Sequence, residues 1–145
     1  GKADQGIFSY WIHSFREKRQ LQYIGFGGTG LQVRDALHPR DLVPLLLRQM
    51  REPGKNAPRI LNFGGGRENS ISLKQLSAWC NERFGENEVT ASNEVRPYDA
   101  PWIVMDSSLA TQMWDWRPET NLEEILEEIA KHAEAHPRWM TSCTG

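Results

Sequence analysis

Apolar residues recur at helical spacing in five stretches of this chain and form short strand-length runs between them. Over residues 6–19, Ile7, Phe8, Trp11, Ile12 and Phe15 make one apolar face, and Arg16, Lys18 and Arg19 follow at the end that a helix dipole makes negative. Over 40–51, Leu42, Val43, Leu45, Leu46, Leu47 and Met50 cover nearly the whole circumference. That pattern predicts a helix buried on several sides, entered through Pro39. Ser72 and Gln75 form a capping box that opens a helix through Phe84, with Leu73, Leu76, Trp79 and Cys80 inward and Gly85 just past its end. Asp106 is positioned to cap a short helix to Met113. Thr120 and Glu123 read as a second capping box, before a helix that carries Leu122, Ile125, Leu126, Ile129, Ala130 and Ala133 on one face. Extended segments are predicted at 21–24, 31–34, 59–63 and 88–92, and a loop over 93–102. The organised region spans residues 1–136, and 137–145 read as a frayed tail.

Between the first two helices lies the most distinctive stretch, residues 21–41, with Gly25, Gly27, Gly28 and Gly30 close together and Arg34-Asp35 just after them. The glycines fit the G-x-G-x-x-G spacing of a dinucleotide site. That fingerprint requires a helix after the third glycine and an acidic residue about 20 positions on. Leu31 to Arg34 look extended instead, and Glu52 matches only by force. The stretch therefore reads as a turn between strands, either a plain one or one that shapes a phosphate pocket with Arg34.

Composition narrows the choices. A chain of 145 residues with 39% hydrophobic and 25% charged residues suits one globular domain. A net charge of −2 predicts no strong attraction to nucleic acid or an acidic membrane surface. No apolar run approaches a membrane span, no leader is legible, and the cytoplasm is the expected compartment. Cys80 and Cys143 make neither a disulfide framework nor a metal set, and His132 and His136 lack a third ligand in the sequence, so no metal is expected. No P-loop, nucleophile elbow or Ser/His/Asp set is present. His38 reads as a helix-entry residue; a separate chemistry built on His38 or Asp41 is the outlying alternative. Arg34 and Arg96 each lie near an aspartate, Asp35 and Asp99. They read either as two structural ion pairs or as a diphosphate clamp, with Asp99 accepting from a ribose hydroxyl.

The runs DQGIFSYWI, YIGFGGTGLQVRDALHPRDL, ILNFGGG with ISLKQL, EVRPYDAPWIVMD and WRPET, in that order, resemble the extended short-chain dehydrogenases/reductases that act on nucleotide sugars, the CDP-paratose (CDP-tyvelose) 2-epimerase group above all. The resemblance implies an α/β fold, a small mixed sheet with surrounding helices, equivalent to the C-terminal half of such an enzyme without its Rossmann half. It implies that Arg34, Arg96 and Asp99 hold the nucleotide diphosphate and ribose, with Trp11, Gln22 and Ile24 flanking the nucleotide. The family uses NAD and a Tyr-x-x-x-Lys pair. Here Tyr10, Tyr23 and Tyr98 are followed four residues later by Ser14, Gly27 and Trp102. The chain is accordingly expected to bind a nucleotide-diphosphosugar, such as a CDP-sugar, to hold no NAD and no catalytic residue of its own, and to be inactive alone. Its expected partner is a second copy or the missing Rossmann half. A non-enzymatic nucleotide-binding module or a structural oligomer is the alternative.

Overall fold

A computed structural model of the chain describes residues 6–52, 58–95 and 100–142. The chain forms two compact units, one made of Gly1–Val33, Ile71–Trp102 and Leu126–Gly145, the other of Arg34–Ser70 and Ile103–Ile125. Both are α/β. Strand β2 (Val33–Asp35) lies between β3 (Ser70–Ser72) and β5 (Trp102–Ile103), and the chain passes from one unit to the other within each of these strands and again between Ile125 and Leu126.

The first unit is built on helices α1 (Ile7–Arg16) and α3 (Leu73–Phe84), which pack on each other, and on β1 (Leu21–Tyr23) paired with β4 (Val89–Ala91). The pair is parallel, with Leu21 opposite Val89 and Tyr23 opposite Ala91, so a crossover must return the chain to the same end. Helix α1 stops three residues earlier than expected. Lys18 takes a positive φ of 54°, and its ammonium donates to the carbonyls of Phe84, Gly85 and Glu86 at 3.0, 2.9 and 2.9 Å. A cation is thus fixed on the last carbonyls of α3, where the macrodipole favours it. The capping box at α3 forms as expected, with Ser72 and Gln75 bonded reciprocally. Within this unit lie the Leu126–Ala135 part of helix α5 (Leu122–Ala135), which buries Leu126, Ala130 and Ala133, and a short helix α6 (Trp139–Ser142). Met140 of α6 is buried.

The second unit centres on Leu45, Ala110, Trp114 and Trp116, with Leu37, Leu42, Leu61, Phe63 and Met113 packed around them. Phe63 meets Trp116 edge to face at 5.1 Å. Its helices are α2 (Val43–Arg51), entered through a 3₁₀ turn at Pro39–Leu42, and α4 (Ser108–Trp114). Asp106 accepts from the Ser108 N–H at 2.9 Å, one residue ahead of the helix cap, and this bond holds its carboxyl below the usual range.

Three expectations need correction. Residues 59–63 form no strand: a strand exists through its ladder partners, and no described segment pairs there. Leu61 and Phe63 pack in the core all the same. The helix over 43–51 is buried on one side only, through Leu45, while Val43, Leu46, Leu47 and Met50 face solvent. Thr120 does not cap α5. Asn121 accepts from the Glu124 N–H at 2.9 Å, because the Thr120 hydroxyl is committed to Asp41.

Candidate functional site

The glycine-rich stretch belongs to the first unit up to Val33. Gly25 (φ 82°), Phe26 (φ 49°), Gly27 (φ 64°), Gly28 (φ 69°) and Gly30 (φ 69°) carry the chain through a 3₁₀ turn, Phe26–Gly28, into β2. A Cβ on Gly30 would lie 2.8 Å from the Tyr23 ring, so this glycine is required by close approach as well as by its φ. The turn does not fit the dinucleotide fingerprint. Gly30 opens no helix, and the first-turn N–H groups of Leu73 and Lys74 in α3 are already taken by the carbonyls of Gln32 and Gly30, at 3.2 and 2.7 Å. The turn thus presents no free helix N-terminus to a pyrophosphate.

Beside the turn lies an ordered aromatic group. Trp11 stacks on Tyr23 with centroids 5.8 Å apart and planes 17° from parallel. Ser77 joins them: its hydroxyl accepts from Trp11 Nε1 and from the Tyr23 hydroxyl, each at 2.8 Å, and donates to the Leu73 carbonyl at 2.9 Å. Sequence reasoning singled out Trp11 but missed Tyr23 and Ser77. The available signal was a small hydroxyl residue inside the inward stripe of α3, four positions after Leu73. Gln22 is exposed on β1. Ile24 is half-buried, and its carbonyl accepts from Gln32 Nε2 at 3.2 Å.

Arg34 lies on β2 in the second unit, half-buried. Its neighbour Asp35 accepts from the Gly66 N–H at 3.0 Å, and a Cβ on Gly65 would run into the Ala36 carbonyl. Gly64 and Gly65 are therefore needed for close approach beside β2, and Gly66 for its φ of 71°. Trp11, Gln22 and Ile24 thus fall in one unit and Arg34 in the other. Arg96 and Asp99 lie outside the described residues.

The alternative chemistry built on Asp41 or His38 is not supported. Asp41 is buried, and its carboxylate accepts from the Glu119 N–H, the Thr120 N–H and the Thr120 hydroxyl at 3.2, 3.1 and 2.8 Å. Its carbonyl accepts from Trp116 Nε1 at 2.7 Å. It organises the 116–120 loop. His38 is the cap of the following turn, accepting from the Arg40 N–H at 3.0 Å. A cleft of about 830 Å³ opens beside Asp41, lined by Arg40, Arg48, Arg51, Trp114, Arg117 and Glu124 among others, with acidic and basic groups interspersed.

One cluster was invisible in the sequence. His13 is fully buried on α1, its Nε2 3.2 Å from His132 Nδ1 on α5, under Trp139 at 4.4 Å between ring centroids. His132 stacks on His136 at 4.3 Å. Burial, and then the neighbouring His132, push the His13 pKa down to about 4; burial and His136 push His132 down as well. Among the described residues no group of three or more His, Cys, Asp or Glu is arranged to hold a metal. Cys80 is buried, which raises its thiol to about 12 and makes it unreactive. Among the described residues no helix is long and apolar enough to cross a membrane.

The fold and these sequence motifs agree with known proteins of one class. No family model matches the chain. It is 28% identical over 102 residues to the CDP-paratose 2-epimerase of Salmonella typhi, covering 70% of this chain and 30% of that enzyme. Its fold matches the UDP-glucose 4-epimerase of Thermotoga maritima, solved with UDP-glucose, with a TM-score of 0.76 and 22% identity over 91% of this chain and 40% of that one. It also matches the UDP-glucuronic acid 4-epimerase of Bacillus cereus, solved with UDP-glucuronic acid and NAD, with a TM-score of 0.69 and 19% identity over 92% of this chain and 40% of that one. The chain is partly homologous to NAD-dependent nucleotide-sugar epimerases, and it spans about a third of the length of the curated relatives it matches.

Proposed function

We propose that this chain is the nucleotide-sugar-binding, C-terminal part of an extended short-chain dehydrogenase/reductase, and that its ligand is a nucleotide-diphosphosugar such as a CDP-sugar. Arg34 and Arg96 hold the diphosphate, because a guanidinium fork matches phosphate oxygens bidentately. Asp99 accepts from a ribose hydroxyl. Trp11, Gln22 and Ile24 border the nucleotide. The observation that carries this reading is the partial homology to CDP-paratose 2-epimerase, together with the ligands named for the solved epimerases of the same fold. The chain is inactive by itself: hydride removal and return need NAD, and neither the glycine stretch nor any Tyr-x-x-x-Lys pair supplies that chemistry here.

Titration of CDP, UDP and inorganic phosphate followed by NMR tests the pocket. The parent chain shows saturable shifts with CDP or UDP at millimolar concentration. Arg34→Ala and Arg96→Ala each lose about tenfold or more in affinity, since a hydrogen bond to a charged group contributes about 1.5–3 kcal/mol. A folded parent with no saturable shift removes the pocket.

A further inference from the structure

Three imidazoles and one indole meet within the first unit. His13 of α1 faces His132 of α5, with Nε2 and Nδ1 3.2 Å apart, and His132 stacks on His136 with ring centroids 4.3 Å apart. Trp139 of α6 closes over them: its ring lies 4.4 Å from His13 and meets His132 edge to face at 5.7 Å. His13 is 1% exposed, and its Nδ1 is buried with no hydrogen-bond partner among the described residues. His132 and His136 reach solvent.

Each ring pair has room for a single charge. The His13–His132 contact is a hydrogen bond while one of the two nitrogens carries a proton and the other does not. With both rings protonated, two N–H groups and two cations face each other. The same repulsion acts across the His132–His136 stack. The neighbouring charges do not relieve it. Glu17, just past α1, favours a charge on His13, but Arg16 opposes it, and Glu17 is already bonded to Arg19 at 2.6 Å. From α3, Arg83 is occupied by Glu127 and Glu134 at 3.0 and 2.8 Å, and Lys18 by the carbonyls of Phe84, Gly85 and Glu86. Glu128 and Lys131, of opposite sign, are exposed beside His132 on α5. Residues 139–142 bring no ionisable side chain, and Arg138 before them is a further cation.

We propose that residues 136–142 form a pH-released clasp, docked over His13 while the imidazoles are neutral and lifted off when they take up protons. Packing decides which part moves. α6 is a single turn whose buried residue is Met140, whereas α1 and α5 bury Ile12, Phe15, Leu126, Ala130 and Ala133. Lifting one turn admits water to His13 at far smaller cost than parting those helices. Beneath Trp139, burial and then His132 hold the His13 pKa at about 4, against an ordinary 6.5 once water reaches it. The released form therefore binds the extra proton between these values. Its ratio to the docked form rises on the order of a hundredfold from pH 7 to pH 4, and more where His132, also lowered, adds a second proton. The clasp is independent of the nucleotide pocket.

NMR of the full chain, labelled at its methionine methyl carbons, tests this from pH 7.5 to 4.5. Met140→Leu identifies the Met140 signal, and Trp139→Ala gives its released position at neutral pH. At pH 7.5 the parent signal lies apart from that position. On acidification it gives way to the released signal, while far-ultraviolet circular dichroism keeps its helical intensity. His132→Gln with His136→Gln, both at exposed positions, keeps the clasp closed to about one pH unit lower. A parent already at the released position at pH 7.5 overturns the proposal. So does a Met140 signal unchanged down to pH 4.5, one lost only with the whole fold, or a double variant that opens at the same pH as the parent.

Discussion

The two units contain similar elements and close their cores to different degrees. In the first, Ile12, Phe15, Leu76, Cys80 and Leu126 have essentially no exposure, and the Ser77 hydroxyl and His13 Nε2 within it have partners. In the second, α2 gives one buried residue, Leu45, to a centre completed by Ala110 and Trp114 of α4 and by Trp116, while α2 turns four large apolar side chains outward. Hydrophobic content does not separate them. What differs is whether the apolar face of each helix finds another element within this chain, since burial, and not apolar composition, supplies the stabilisation.

The largest test of that contrast is Phe15→Ala, which leaves a cavity in a closed core. It should cost about 3–5 kcal/mol, against under about 0.5 kcal/mol for Met50→Ala on the open stripe. Urea unfolding followed by circular dichroism measures both; similar losses would erase the distinction.

Next in size is pH. His13 faces His132 of α5 and is influenced by His136 just past that helix, with Arg16 and Glu17 nearby on its own helix and chain. Its pKa is about 4 in the folded protein against an ordinary 6.5, so between these values the unfolded chain binds the extra proton. Stability is therefore complete above about pH 6.5 and falls as pH drops toward 4, by up to about 3 kcal/mol. His13→Gln should flatten that part of the profile, measured as unfolding midpoints at several pH values against the parent. An unchanged slope would show that His13 titrates normally.

A smaller loss is expected from Asp41→Ala, which strands two backbone N–H groups and the Thr120 hydroxyl. It should cost about 2–3 kcal/mol and shift tryptophan fluorescence, since Trp116 is bonded to the Asp41 carbonyl. Ser77→Ala is the smallest, about 1 kcal/mol, with Trp11 Nε1 and the Tyr23 hydroxyl losing their shared acceptor. Near-ultraviolet circular dichroism should report the disturbed Trp11–Tyr23 stack before overall stability changes much.

Local signals were legible where the cause was local. The Ser72/Gln75 box, the Gly85 stop, the His38-Pro39 entry and the positive-φ glycine turn were all readable, because each depends on residues within a few positions. The Thr120 box failed for the opposite reason. Its sequence spacing was right, but Asp41, 79 residues away, holds the Thr120 hydroxyl and leaves capping to Asn121. For the candidate site, Trp11, Gln22, Ile24 and Arg34 could be named from motif order, whereas Ser77 could not, since nothing in α3 announces what its hydroxyl will meet.

By itself the sequence determined helices α1 to α5, the short strands at 21–23 and 89–91, the glycine turn and the likeness to nucleotide-sugar epimerases, since periodicity, capping and motif order are properties of neighbours along the chain. Only the tertiary structure decided that residues 59–63 are not a strand, that the second apolar face of α2 is open, and that His13 meets His132 across 119 positions. Each of these depends on what lies opposite in space. A ladder needs a partner strand, a buried face needs a cover, and a titrating group takes its pKa from the charges and solvent around it.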